Sequence, residues 1–275
     1  VPQDRNAELV NNLTQDFARR NEFNQSGARL SDVMMWLNRD GGGALMWAHD
    51  GQSPAFYGRA ASAAATATWA ANGGILIGNY SATVNGGPYI TLDGIGEYLS
   101  IADANWQETT TYSFLLWAWF YTDTLDVTQA IAAKWTGAGN LRSWFLRVSG
   151  TTNTLRWSTN PAGGGGANVD MDATHVITAS TFHFAAAYFQ PSTLMRTFSG
   201  SANDGSLTID SLTTGVPASV FNGAPGPPLT LGAASGASFL SGRLGIGLVR
   251  ANVPATNINS HVTRLFQATR WFYQE

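Results

Sequence analysis

The chain of 275 residues carries 15 basic and 18 acidic side chains for a net charge of −3, and only 12% of it is charged, about half the usual share for a globular domain. That balance leaves no electrostatic footprint for nucleic acid or for an anionic membrane, and the absence of cysteine excludes disulfides, thiolate nucleophiles and zinc–thiolate sites. No apolar run reaches the roughly 18 residues of a membrane helix. A surface so poor in charge is expected to be buried in an assembly or dressed in Ser, Thr, Asn and Gly. Lys134 is the sole lysine.

The start, Val1 to Arg5, is polar, lacks the pattern of a signal peptide and has no initiator methionine, so a processed or trimmed chain is expected. Leu9, Val10, Leu13 and Phe17 recur at helical spacing in a polar background, which predicts an amphipathic helix from about Asp4 to Arg20. Ser31-Asp32 is a plausible N-cap for a second short helix over Val33 to Leu37, containing Trp36. Together these predict a partly helical arm over residues 1–65, packed on its own domain or docked on a neighbouring subunit through Leu9, Leu13, Phe17 and Trp36. The small-residue segments Gly41–Gly43 and Ala60–Ala71 bracket a piece with Trp47, His49, Asp50 and Tyr57 whose role the pattern leaves open.

From Gly87 onward, short apolar runs alternate with turn residues, and this is the all-β pattern. Strands are predicted at Pro88–Leu92, Tyr98–Ile101, Thr111–Tyr121, Gln129–Trp135, Ser143–Val148, Thr154–Ser158, His175–Thr178, Phe182–Phe189, Leu194–Ser199, Leu229–Gly232 and Arg243–Arg250, in a two-sheet antiparallel sandwich. After Pro254 the period changes, and Ile258, Val262, Leu265, Phe266 and Phe272 predict a terminal helix over 256–272.

The run Thr111–Tyr121 has no Gly, Pro or charge and is apolar on both faces. Tyr112, Phe114, Leu116, Ala118 and Phe120 form one side and Ser113, Leu115, Trp117, Trp119 and Tyr121 the other, because successive side chains of a strand point oppositely. An antiparallel sheet usually leaves one face wet. Here the second face needs a cover, and the terminal helix, the arm, a neighbouring subunit and a ligand are the candidates, with the helix or arm favoured.

The succession Gly94–Asp103, Tyr112–Phe120, Ala130–Trp135, Trp144–Val148, Phe182–Tyr188, Leu229–Ala233 and Phe239–Gly245 resembles the laminin-G-like branch of the concanavalin A-like jelly rolls, over roughly residues 85–250. The closing segment, with Leu265–Arg270, is similar to that of such domains in tailed-phage structural proteins. The resemblance implies an all-β jelly-roll sandwich over residues 66–275 and a non-enzymatic virion component, a capsid decoration or tail piece at the particle surface, whose partners are other virion proteins and copies of itself.

Catalysis finds little footing. Glucanases of this fold set carboxylates in a Glu-x-Asp-x-x-Glu spacing, and Glu8, Glu22, Glu97, Glu108 and Glu275 do not form one. The histidines His49, His175, His183 and His261 lie in dissimilar contexts, with no Gly-x-Ser-x-Gly elbow and no metal-ligand spacing. No catalytic residue and no cofactor are predicted. Calcium is the metal the resemblance brings in, with Asp170 and Asp172, then Asp123, Asp126 and Asn168, as weak oxygen donors against a reading as solvated turn residues. The glycine run Gly163–Gly166 lacks a phosphate-loop ending, and the sequons at Asn12, Asn24 and Asn79 matter only in a glycosylating host. The remaining signal is aromatic: 10 tryptophans, each able to bury ~150–250 Å². Core packing accounts for most. The alternative function is a carbohydrate-binding adhesin recognising surface glycans, or a partner contact, through Trp135, Asn140, Arg142, Trp144 and Trp157; a glycoside hydrolase is a distant third.

Overall fold

A computed structural model describes residues 89–101, 103 and 113–274 apart from 165, 224, 235, 252–254 and 271–272, together with strand segments at 32–37, 44–49 and 70–72. In chain order the strands are β1 (Asp32–Leu37), β2 (Ala44–His49), β3 (Ala70–Asn72), β4 (Ile90–Asp93), β5 (Tyr98–Ile101), β6 (Phe114–Thr122), β7 (Gln129–Thr136), β8 (Leu141–Val148), β9 (Thr154–Gly163), β10 (Val169–Val176), β11 (Phe182–Gln190), β12 (Leu194–Ser201), β13 (Thr208–Leu212), β14 (Leu229–Leu231) and β15 (Ser241–Ala251), followed by helix α1 (Ile258–Thr269). Sheet A runs β13-β12-β11-β6-β15-β1-β2, with β4 also on β15; sheet B runs β10-β9-β8-β7-β14-β5-β3. All pairings are antiparallel, and the two sheets stack as the expected jelly-roll-like sandwich.

The two-sided apolar strand, β6, is at the middle of sheet A between β11 and β15, and all of its residues are buried. Its two faces serve two cores. Phe114 points between the sheets, its ring centroid 5.8 Å from those of Trp144 and Trp157 and 5.5 Å from Phe189. Trp119 points outward beneath α1. There it stacks on Phe266 and Tyr273 at 5.8 and 5.0 Å and meets Phe184 edge-on at 5.3 Å. Its indole N–H donates to the Thr269 hydroxyl at 2.8 Å, so the one polar atom of the ring is answered inside the apolar layer. Trp117 stacks on Phe184 at 5.7 Å. Of the candidate covers, the terminal helix therefore lies over the Trp119 face. Gly245 allows this closure, since a Cβ there would collide with the Tyr273 hydroxyl.

Two expectations change, and one lies outside the described residues. Val33–Leu37, expected as a helix capped by Ser31-Asp32, is strand β1, paired with β15 on one side and β2 on the other. A helix of so few residues cannot offset its nucleation cost, whereas between two strands its backbone groups find partners on both sides; Trp36 stands opposite Leu45 in that register. The predicted helix Asp4–Arg20, with Leu9, Leu13 and Phe17, lies outside the described residues. The strand expected at His175–Thr178 is β10, which starts at Val169 and ends at Val176. As the outer strand of sheet B it buries only Met171 and Ala173, alternating with exposed Asp170, Asp172 and Thr174, a mostly polar pattern that hides a strand. β13, another outer strand with alternating exposure, was not anticipated.

Candidate functional site

The five residues singled out for glycan or partner contact separate into two groups. Trp144 and Trp157 are 0% exposed, 5.8 Å apart in the inter-sheet core, so neither ring can meet a sugar, and that part of the expectation is corrected. Trp135, Asn140 and Arg142 gather at one end of sheet B. Trp135 and Arg142 are half-buried and Asn140 is exposed.

A bulge makes the difference. Lys134 pairs with Trp144 but Trp135 pairs with Arg142, leaving Ser143 as an extra residue on β8. Such an insertion re-aims the side chains beyond it. Arg142 therefore leaves the inward side taken by Trp144, two residues on, and its guanidinium lies over the Trp135 ring, 5.8 Å from its centroid, in the range of a cation–π contact. Phe145 backs Trp135 at 5.8 Å and joins Ala130, Ala133 and Ala234 in a small apolar cluster on this outer face.

Loops build the rim around this group. The β7–β8 turn ends with Asn140 at φ 57, a left-handed conformation that asparagine tolerates. Gly163, at φ 72, stands opposite Arg142 on β9; a Cβ there would strike the Phe221 ring and the Asn140 carbonyl. Asn160 ties the neighbouring loop together: its amide donates to the Gly166 carbonyl and the Asn168 side chain at 3.1 and 2.8 Å, its own oxygen accepts from Ala162 N–H, and its backbone carbonyl accepts from Phe221 N–H. Behind the rim, Lys134 donates to Asp103 at 2.6 Å and to the Pro227 carbonyl at 2.7 Å, and Asp103 accepts from Gly226 N–H. Burial pushes the Lys134 ammonium down to about 8 against the pull of Asp103. Sequence reasoning missed Phe221, Asn160 and the Lys134–Asp103 pair; Lys134 as the sole lysine, within an apolar strand, was the available signal.

The calcium candidates have other partners. Asp172 accepts two bonds from Arg156, at 2.5 and 2.8 Å, and Asp170 lies 4.0 Å from Arg147. A guanidinium therefore already supplies the positive charge that a cation would bring. Asn168 is taken up by Asn160, and Asp126 is bonded to Asn153. Among the described residues no three His, Cys, Asp or Glu side chains group as metal ligands would. His183, 1% exposed and bonded to Thr178, is the satisfied structural histidine the sequence suggested.

On this outer face of sheet B, Arg147 and Arg156 each face an aspartate, while Arg142 has no acidic partner among the described residues. Its Nε is buried without a hydrogen bond.

No known protein family matches the chain, and no curated protein does. Solved structures share its fold. The receptor-binding domain of botulinum neurotoxin mosaic serotype C/D superposes with a TM-score of 0.54 at 9% identity, covering 90% of this chain and 54% of that one. The binding domain of botulinum neurotoxin DC in complex with SialylT gives 0.51 at 10% identity, covering 90% and 52%, and that of serotype G gives 0.51 at 10%, covering 86% and 50%. The chain thus spans about half the length of these structures, and at this identity the likeness establishes a common sandwich fold.

Proposed function

We propose that this domain is a non-catalytic carbohydrate-binding module whose recognition surface is the Trp135–Asn140–Arg142 rim of sheet B. The observation that carries the reading is Arg142, a half-buried cation over an aromatic ring with no acidic partner among the described residues. A guanidinium presents a planar fork of N–H donors to carboxylate or hydroxyl oxygens. Asn140 adds an exposed amide, and Trp135 an apolar edge for the C–H side of a sugar. The likeness to toxin binding domains, one of them in complex with SialylT, supports a binding rather than a catalytic role, and a sugar bearing an acidic group suits Arg142 best.

A glycan array compares the wild type with Trp135→Ala and Arg142→Ala. Binding to acid-bearing oligosaccharides is expected in the wild type and should weaken at least about tenfold in each variant. No binding to any glycan, or variants that bind like the wild type, would sink the assignment.

The virion role, with self-association through the first 65 residues, stands as a second proposal. The observation in its favour is that β2 is the outermost described strand of sheet A, and an open strand edge is a template for another chain. If this holds, sedimentation should show an oligomer that becomes a monomer on deleting residues 1–49; a monomer before deletion argues against it.

A further inference from the structure

The end of the sandwich away from the Trp135 rim is fastened by two histidines that play no part in the proposed recognition surface. β10 is the outer strand of sheet B, β11 lies inside sheet A, and the chain crosses between them at 177–181. His183 Nε2 lies 3.1 Å from both the N–H nitrogen and the carbonyl oxygen of Thr178, and its Nδ1 lies 3.4 Å from Nε2 of His175. The two rings meet edge-on, with centroids 5.5 Å apart.

This arrangement is complete for two neutral rings. Thr178 N–H donates to His183 Nε2, and His183 Nδ1–H donates to His175 Nε2, so each of these nitrogens has one role. A second proton on His183 Nε2 gives up the Thr178 N–H for the Thr178 carbonyl, also 3.1 Å away, and one on His175 Nε2 confronts the Nδ1–H of its neighbour. The surroundings pull both ways. From β13, Asp210 accepts the N–H and hydroxyl of Thr174, both at 3.0 Å. In the β12–β13 turn, Asp204 accepts Ser201 N–H through its side chain and an Arg270 bond through its carbonyl. β6 contributes the Phe120 ring, 5.8 Å from His183. Burial outweighs the two aspartates at His175 and lowers it; burial and then His175 hold His183 down at about 4.

We propose that the His175–His183 pair is an acid-sensitive latch between the two sheets: when neutral it pins the β10 edge and the 177–181 crossover to sheet A, and when protonated it releases them. Both groups are depressed below their ordinary 6.5, so the unfolded or opened chain binds the extra protons. The latch is therefore fully closed above that pH and loosens as pH falls toward about 4.

Amide hydrogen exchange on the full chain at about pH 7 and about pH 5, corrected for intrinsic rates, reads the latch directly. Protection over β10 and 177–183 should drop at least about tenfold at the lower pH, while α1 keeps its protection. In His175→Gln the carboxamide oxygen accepts the His183 N–H without titrating, which removes the proton uptake of His175 and its push on His183 while the burial of His183 remains, so the drop should be clearly smaller than in the wild type. Undiminished protection in the wild type, or an equal drop in His175→Gln, overturns the proposal. Ring titration by NMR is the second readout: both imidazoles should titrate below 6.5, and either one at or above that value also overturns it.

Discussion

On the outer face of sheet A, Trp117, Trp119, Phe182 and Phe184 lie beneath α1 and Tyr273. On the outer face of sheet B, Trp135 and Phe145 lie beneath the side chains of Arg142 and Arg147, the latter 4.6 Å above the Phe145 ring. Both faces present aromatic rings that water would penalise. A helix covers the first with apolar atoms and answers the Trp119 indole N–H with Thr269. Guanidinium groups cover the second while keeping donors at the surface. The first solution adds a core; the second leaves a surface that still has hydrogen bonds to make. The binding role proposed above therefore belongs to sheet B.

Substitutions that probe this contrast span a range of effects. The largest belongs to the covered face: Phe266→Ala opens a cavity against Trp119 and Phe184 and should cost about 3–5 kcal/mol in denaturant unfolding. A loss below about 1 kcal/mol would mean that the helix merely rests on the sheet. Next is the buried ammonium behind the rim. Lys134 is depressed to about 8 from 10.5, so the unfolded state holds more protons between those values and stability rises with pH across that window, by about 3 kcal/mol at most. Subtracting the pH profile of Lys134→Met from that of the wild type should isolate the rise, and a flat difference would remove it. Thr269→Val leaves the Trp119 N–H without its acceptor and should cost about 1–3 kcal/mol. Least is expected at the open face: Trp135→Ala should change stability by about 1 kcal/mol or less yet weaken the proposed glycan binding at least about tenfold. A loss near that of Phe266→Ala would make Trp135 a core residue and return sheet B to the same class as sheet A.

Much of the strand pattern could be read from the residues. Tyr98–Ile101 is found as expected, and Phe182–Phe189 is longer by one residue. These runs are buried on at least one face, so their apolar character announces them. β10 and β13 carry Asp, Ser and Thr on an exposed side at the sheet margins, and there composition resembles a loop. Val33–Leu37 is ambiguous locally because a short apolar run suits a helix or a strand, and only its pairing with β15 and β2 decides. At the candidate site, Trp135, Asn140 and Arg142 were within reach because they flank a glycine turn. Phe221 was not, since it arrives from a distant loop through its bond to Asn160.

What the sequence alone determined is that β6 must be buried on both sides: eleven residues without charge, glycine or proline, alternating large apolar side chains, impose two apolar faces through the period of the strand. It did not determine which segment covers which face. Trp119 finds Thr269, 150 positions away, through the closing of the whole sandwich. Nor could alternation along β8 tell Arg142 from Trp144, two residues on, one over the half-buried Trp135 ring and the other at 0% exposure in the core. A single extra residue at Ser143 reverses the alternation there, and a bulge is a property of two paired strands that neither strand's own sequence contains.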